Sequence, residues 1–190
     1  KDGVMSGHGT VTASAPHSSA GYKYIGQFKD GVNSGHGTVT YSAPHSFAGY
    51  QYVGQFNDDE KSGLGTATYP NGDMYVGEFK DDMKHGQGFM FSADYQVDFC
   101  TYKKGQGSNC SGSNAYDAAV ILKKRFDGLS LYQRKKIQSN LNTRGFYNNS
   151  IDGQWGLGTL IALVEFSSVE FGTVDLRSEK MAKKIVAFLW

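Results

Sequence analysis

Residues with types suited to chemistry fall into three groups in this 190-residue chain. The histidines come first. Four of the five stand at repeating places, His8 with His36 and His17 with His45. Imidazoles are common zinc ligands. Equivalent residues of successive hairpins, however, lie two strands apart, about 9–10 Å at a strand separation of ~4.8 Å. That is too far to share one ion. His8 with His17 inside one unit has no acid or thiol beside it. The histidines are therefore expected on a solvated face and in loops, and no metal or cofactor is expected. The second group is Cys100 and Cys110, which enclose nine residues of a glycine-rich stretch. They either close a small loop as a disulfide, worth roughly 2–3 kcal/mol and suited to an oxidising compartment, or stand as two free thiols in a reducing one. The third group is acidic: Asp58-Asp59-Glu60 and Asp81-Asp82. Both runs fall in expected hairpin turns, where solvated charge is the expectation rather than a general-acid pair. No His-Glu-x-x-His, Gly-x-Ser-x-Gly, Walker loop or strand-borne Gly-x-Gly-x-x-Gly is present. No catalytic residue is assigned, and the chain reads as non-catalytic.

Composition narrows the class further. Gly is abundant at 25 residues, aromatics reach 14% and Pro is only 3. Glycine with tyrosine and phenylalanine, and no low-complexity run, predicts ordered β-turns rather than disorder. The net charge is +1, from 19 basic and 18 acidic residues. No basic stripe points to nucleic acid. No apolar run approaches the ~20 residues of a membrane span. The chain opens inside a repeat, at Lys1-Asp2-Gly3, so a natural N-terminus is expected to have been removed.

The elements that position these residues announce themselves by self-similarity. Tyr24-Ile25-Gly26-Gln27-Phe28 returns as Tyr52-Val53-Gly54-Gln55-Phe56 and as Tyr75-Val76-Gly77-Glu78-Phe79, at offsets of 28 and 23. A Gly-x-Gly motif travels with it at Gly7, Gly35, Gly63 and Gly86. The five extra residues are Ser-Ala-Pro-His-Ser at 14–18 and 42–46. The shorter unit instead carries Asn71-Gly72, the strongest short hairpin signal. Within each unit the period is two, so the segments are strands. Tyr22, Tyr24, Gly26 and Phe28 share one face, and Lys23, Ile25 and Gln27 the other. The glycines make room for rings of neighbouring hairpins, and a stack of hairpins buries a stripe that one hairpin could not. Tyr24, Phe28, Tyr52, Phe56, Tyr75 and Phe79 are the candidate groove residues of the array.

These motifs resemble the MORN repeat family over about half the chain, in four units with the first incomplete. The resemblance implies an elongated, grooved single-layer sheet that contacts proteins or phospholipids, and implies no enzymatic activity. The Ser-Ala-Pro-His inserts depart from it. Asp94 to Phe99 loses the glycine and is expected as a degenerate strand capping the array.

From Ser113 the period changes to 3.6. Helices are expected from about Ser113 to Gly128, from Ser130 to Gly145, from Gly158 to Ser168 and from Ser178 to Leu189. Ser130 with Gln133 resembles a capping box, and so does Asn114 with Asp117. Their apolar faces are Leu122 and Phe126, Ile137 and Leu141, Leu160 to Phe166, and Met181, Ile185, Phe188 and Leu189. Between the second and third lies a glycine-punctuated loop, Gly145 to Thr159. In it Asp152-Gly153 is a turn, Thr159 stands at a helix start, Phe146 and Ile151 staple the loop to the core, and Tyr147 and Trp155 are the rings expected to be exposed for stacking on sugars.

The order Gly-Phe-Tyr, Ile-Asp-Gly, Trp-Gly and Thr before a helix resembles the peptidoglycan-binding-like helical fold. By that resemblance Phe146, Tyr147, Ile151, Asp152, Gly153, Trp155 and Thr159 are the candidate ligand-binding residues. The family's Pro near Leu157 is missing, and of its second turn only Phe171 to Asp175 remains. The expected architecture is α+β as separate domains: an all-β, single-layer antiparallel hairpin-repeat sheet over 1–104, a linker at 105–112, and a small three- to four-helix domain over 113–190. The expected function is a binding scaffold of the bacterial cell envelope, peptidoglycan on the helical part and a protein or lipid on the repeats. The alternatives are a structural scaffold without glycan binding and the targeting fragment of a larger cell-wall enzyme. The expected location is the periplasm or cell envelope, with the cytoplasm as the alternative.

Overall fold

The computed structural model describes residues 4–14, 19–93, 96–147, 149–172 and 178–190, with the backbone alone at 111–119 and 157. His17, Tyr95 and residues 173–175 lie outside the described residues, and the Asn114–Asp117 cap lies among the side chains left out. Alternating polarity carries the first half into nine strands: β1 (Gly7–Thr12), β2 (Tyr22–Lys29), β3 (Val32–Tyr41), β4 (Gln51–Asn57), β5 (Glu60–Thr68), β6 (Met74–Lys80), β7 (Met83–Phe91), β8 (Val97–Lys103) and β9 (Gln106–Ser111). They pair antiparallel in sequence order as one open sheet. Four helices follow: α1 (Gly112–Asp127), α2 (Leu131–Thr143), α3 (Leu157–Phe171) and α4 (Glu179–Leu189).

The stretch expected as a linker is strand. Residues 106–111 pair with β8, and Cys100 and Cys110 are disulfide-bonded across that hairpin. Glycine-rich composition concealed it, because Lys104-Gly105 is a two-residue turn with both φ positive rather than slack. The turns at Asp30-Gly31, Asp58-Asp59 and Asp81-Asp82 share that feature, which is the pattern of a type I′ hairpin. The acidic runs have a structural task there. The Asp59 amide donates to the Asn33 carbonyl at 3.0 Å, and its carboxylate accepts the Asn33 amide at 2.7 Å. Asp82 does the same with Lys61, at 3.2 and 3.0 Å. Each turn is thereby clipped to the hairpin before it.

One face of the sheet is built of rings on glycines. Gly26 opposes Gly37, Gly54 opposes Gly65 and Gly77 opposes Gly88. Tyr24, Tyr52 and Tyr75 lie across these pairs: a Cβ on Gly26 or Gly54 would stand 2.5 Å from the tyrosine oxygen. Beside each pair the register slips at a bulge. The hydroxyls of Tyr24, Tyr52 and Tyr75 donate there to the carbonyls of Gln27, Gln55 and Glu78 at 2.8, 2.9 and 3.0 Å. The bulge also leaves amides facing out. Gln27 Oε1 accepts the His36 amide at 3.0 Å and Glu78 Oε1 the Gln87 amide at 3.1 Å. Each residue of Tyr-x-Gly-Gln/Glu-Phe thus answers a need of its own hairpin. Phe28, Phe56 and Phe79 stand edge-on to the tyrosines, 4.9–5.2 Å between centroids.

The opposite face changes character along the array. Thr38, Thr66 and Phe89 occupy equivalent positions, as do Ile25, Val53, Val76 and Phe99. The last hairpins therefore present an apolar floor where the first present threonine and aliphatics. Val76, Phe89, Phe91 and Phe99 join Leu122, Phe126, Ile137, Leu141 and Phe166 in one buried cluster. α1 runs along β8, and α3 lies over β5 and β6. The expected sheet domain and helical domain are both present, and they pack on each other through this shared cluster. The helices start and stop where their caps dictate. Ser130 and Gln133 form the expected capping box, Ser178 caps α4, and α3 runs past Ser168 to a left-handed Gly172. Among the described residues no helix is long and apolar enough to cross a membrane.

Two outcomes follow from the two faces. Phe89→Thr restores the residue type of positions 38 and 66, and urea denaturation should register a loss of about 3–5 kcal/mol, the usual cost of truncating a buried phenylalanine. Burial raises the hydroxyl pKa of Tyr52 and Tyr75 above the ordinary value, and pushes Tyr102 up to about 12. Unfolded tyrosines lose their proton near pH 10 while these keep theirs, so raising the pH favours the unfolded chain. Stability measured by denaturation should be insensitive to these groups below pH ~10 and fall progressively above it.

Candidate functional site

Six rings expected to line a groove in the array are instead its interior. Tyr24, Phe28, Tyr52, Phe56, Tyr75 and Phe79 are all buried, their faces occupied by glycines and by one another. A second column, half-buried, runs outside them: Tyr22, Tyr41, Tyr50 and Tyr69, with centroids 5.6, 5.9 and 5.7 Å apart in succession. Lys61 stands over Tyr50 and Tyr52, 5.7 and 5.8 Å from the centroids. Lys84 stands over Tyr69, Tyr75 and Tyr102 at 5.6, 5.4 and 5.0 Å, and burial lowers its pKa. The insert at 42–46 folds onto this column, the His45 ring lying 4.3 Å from Tyr41. The signal for the outer column was in the sequence: a tyrosine two residues before Tyr24 and Tyr52, and one closing the Gly-x-Gly strands at 41 and 69.

The loop from Gly145 to Thr159 is organised from outside it, by a glutamine on α2. Gln138 on α2 is fully buried. Its Oε1 accepts the Gly153 amide at 2.7 Å. Its Nε2 stands 3.0 Å from the Gln154 carbonyl, 3.1 Å from the Tyr147 oxygen and 3.3 Å from both Asp152 Oδ1 and Thr159 Oγ1. Tyr147 is not an exposed stacking ring: it is 4% exposed, and its hydroxyl donates to the Ser150 carbonyl at 3.0 Å. Thr159 does not cap α3. It lies inside the first turn and donates to the Gln154 carbonyl at 3.2 Å, while Gly156 holds the cap position without a side-chain bond. Ile151 faces solvent rather than the core.

The remaining loop residues sit as the local chemistry requires. Asp152 Oδ1 accepts the Gln154 amide at 2.8 Å, and that bond is the chief reason its carboxyl lies below the usual carboxylate range. Gly153 has φ +75, and a Cβ there would strike Leu131. Phe146 packs on Phe166 at 5.9 Å, and Trp155, half-buried, on Phe126 at 5.6 Å. Above them opens a shallow depression of about 430 Å³, lined by Asn149, Asp152, Gln154, Trp155 and Thr159 among others.

A second concavity of about 390 Å³ lies where α3 meets the sheet, on the face away from the tyrosines. Ile25, Thr38, Val53 and Thr66 floor it, and His8 and His36 lie at its far side. Glu165 of α3 reaches into it and accepts a hydrogen bond from Thr66 Oγ1. Burial raises its pKa above the ordinary carboxylate value. Sequence periodicity did not single it out, because one acid on an apolar helix reads as solvent-facing. Among the described residues no three His, Cys, Asp or Glu side chains gather closely enough to hold a metal ion.

Compared with known families, the chain matches the MORN repeat at residues 24–43, 52–74 and 75–97. It therefore carries three MORN repeats, each a strand pair of the ring-on-glycine kind, which points to a repeat and binding module. β1 supplies a further Gly-x-Gly strand outside the matched spans. No family model matches the helical part, and no curated protein matches the chain.

Gln138→Ala removes the hub and strands the Gly153 amide. A loss of about 2–4 kcal/mol is expected from the unmade bonds and the cavity. In amide exchange, Gly153 should lose its protection while Tyr52 and Tyr75 keep theirs.

Proposed function

We propose that the chain is a non-catalytic binding scaffold of the bacterial cell envelope, the repeats meeting a protein partner and the helical part holding peptidoglycan. The half-buried column Tyr22, Tyr41, Tyr50 and Tyr69 carries the first half of this reading. Tyrosines held rigid with part of each ring open to solvent are the residues that dominate protein interfaces at low entropic cost. Phospholipid is the other surface that such a column, with Lys61 and Lys84 among it, could meet. The loop depression supports the second half: its polar groups are fixed in advance by Gln138, and Trp155 offers a partly open ring to a sugar face. The Cys100–Cys110 bridge agrees with an oxidising compartment.

Co-sedimentation with purified sacculi tests the anchoring half. The wild type should pellet, and Gln154→Ala with Trp155→Phe should cut the pelleted fraction several-fold without altering the melting curve. Absence of wild-type pelleting would end the anchoring reading and leave the scaffold without a glycan. Flotation with anionic and neutral liposomes tests the lipid option: the protein should stay at the bottom of the gradient.

A further inference from the structure

The α3 carboxyl in the second concavity is unusual on energetic grounds. The helices cover the sheet only as far as β5 and β6. Beyond that limit the floor is open, with Ile25 40%, Val53 47% and the facing Val169 of α3 56% exposed. Into this apolar trough α3 places Glu165, where leucine or valine would continue the packing at no electrostatic cost. Among the described residues its one side-chain partner is the Thr66 hydroxyl, and no lysine or arginine pairs with it. One hydroxyl offsets only part of the cost of taking a carboxylate from water. Among the described residues lining the trough there is no lysine or arginine, and its walls suit an aliphatic stem leading to a cation.

We propose that this trough binds a lysine side chain presented by an extended peptide segment of a partner protein. The ammonium meets the Glu165 carboxylate beside Thr66 Oγ1, and the methylenes lie across Val53, the direct neighbour of Thr66 on β4. Charge and shape agree: among the described residues lining the trough Glu165 is the only carboxylate, and a lysine stem is apolar up to its head. The surface is distinct from the tyrosine column, being on the other face of the sheet, and from the loop depression.

Methyl and amide NMR of the full chain tests this with two acetylated, amidated pentapeptides, Gly-Gly-Lys-Gly-Gly and its norleucine counterpart. The lysine peptide should give saturable shifts centred on Val53, Thr66 and Val169. The norleucine peptide should bind about tenfold or more weakly, the loss expected for a charge-assisted contact. Glu165→Gln should weaken the lysine peptide to the norleucine level while its spectrum elsewhere overlays the wild type. Val53→Lys, at a half-exposed position paired directly with Thr66, supplies a cation of its own and should compete the peptide out. Equal binding of the two peptides, unchanged binding in Glu165→Gln or in Val53→Lys, or no shifts at millimolar peptide would overturn the proposal.

Discussion

The tyrosine of each hairpin lies across two opposed glycines and ends with its hydroxyl on the carbonyl that the bulge sets free. Three constraints meet in that contact. The glycines must lack side chains so that the ring can approach the backbone. The strand must bulge, because phenylalanine and the Gly-x-Gly motif fall out of step. The bulge carbonyl, facing a layer of rings, must find a donor, since a buried carbonyl without one costs roughly 1–3 kcal/mol. Phenylalanine would fill the same space and leave the carbonyl unmet. A single layer of strands has no second sheet to pack on, so the rings, seated this way, are its core.

Settling one face in this manner frees the other. Nothing in the tyrosine–glycine contact restricts Thr38, Thr66 or Phe89, and the chain uses that freedom to grade the second face from threonine to phenylalanine. The helices stop where the grading stops being apolar. What remains uncovered is the trough, bounded on one side by α3 and on the other by open sheet. The boundary between the two parts of the molecule is therefore an interface made by side-chain choice, and the disulfide-closed hairpin β8–β9 leads the chain into α1.

Much of this was legible in the residues. Period-two alternation, the paired glycines and Asn71-Gly72 gave the strands and their order, and Ser130 with Gln133 placed the start of α2. Strand β9 was not legible, because Gly105 and Gly107 read as a linker when they belong to a turn and a bulged edge. The roles of the loop residues were only half legible. Asp152 and Gly153 act through local backbone geometry, which sequence reveals. Tyr147 and Thr159 act through Gln138, fourteen to sixteen residues away from the acceptors it gathers in Asp152 and Gln154, and a polar residue on an apolar helix face carries no mark of its hub role. The groove expected from the tyrosine and phenylalanine columns became core because aromatic periodicity alone does not tell rings that line a cleft from rings that fill it.

The grading of the second face also gives the array a built-in scale. Each hairpin adds two strands, and so about 9–10 Å of sheet, while the ring face repeats the same contact regardless of number. The helices are bolted to whichever hairpins carry Val76, Phe89 and Phe99. Gaining or losing a hairpin on the threonine side would therefore lengthen or shorten a lever arm in fixed steps without moving its fulcrum, and the reach of the molecule can change independently of what its helical end holds.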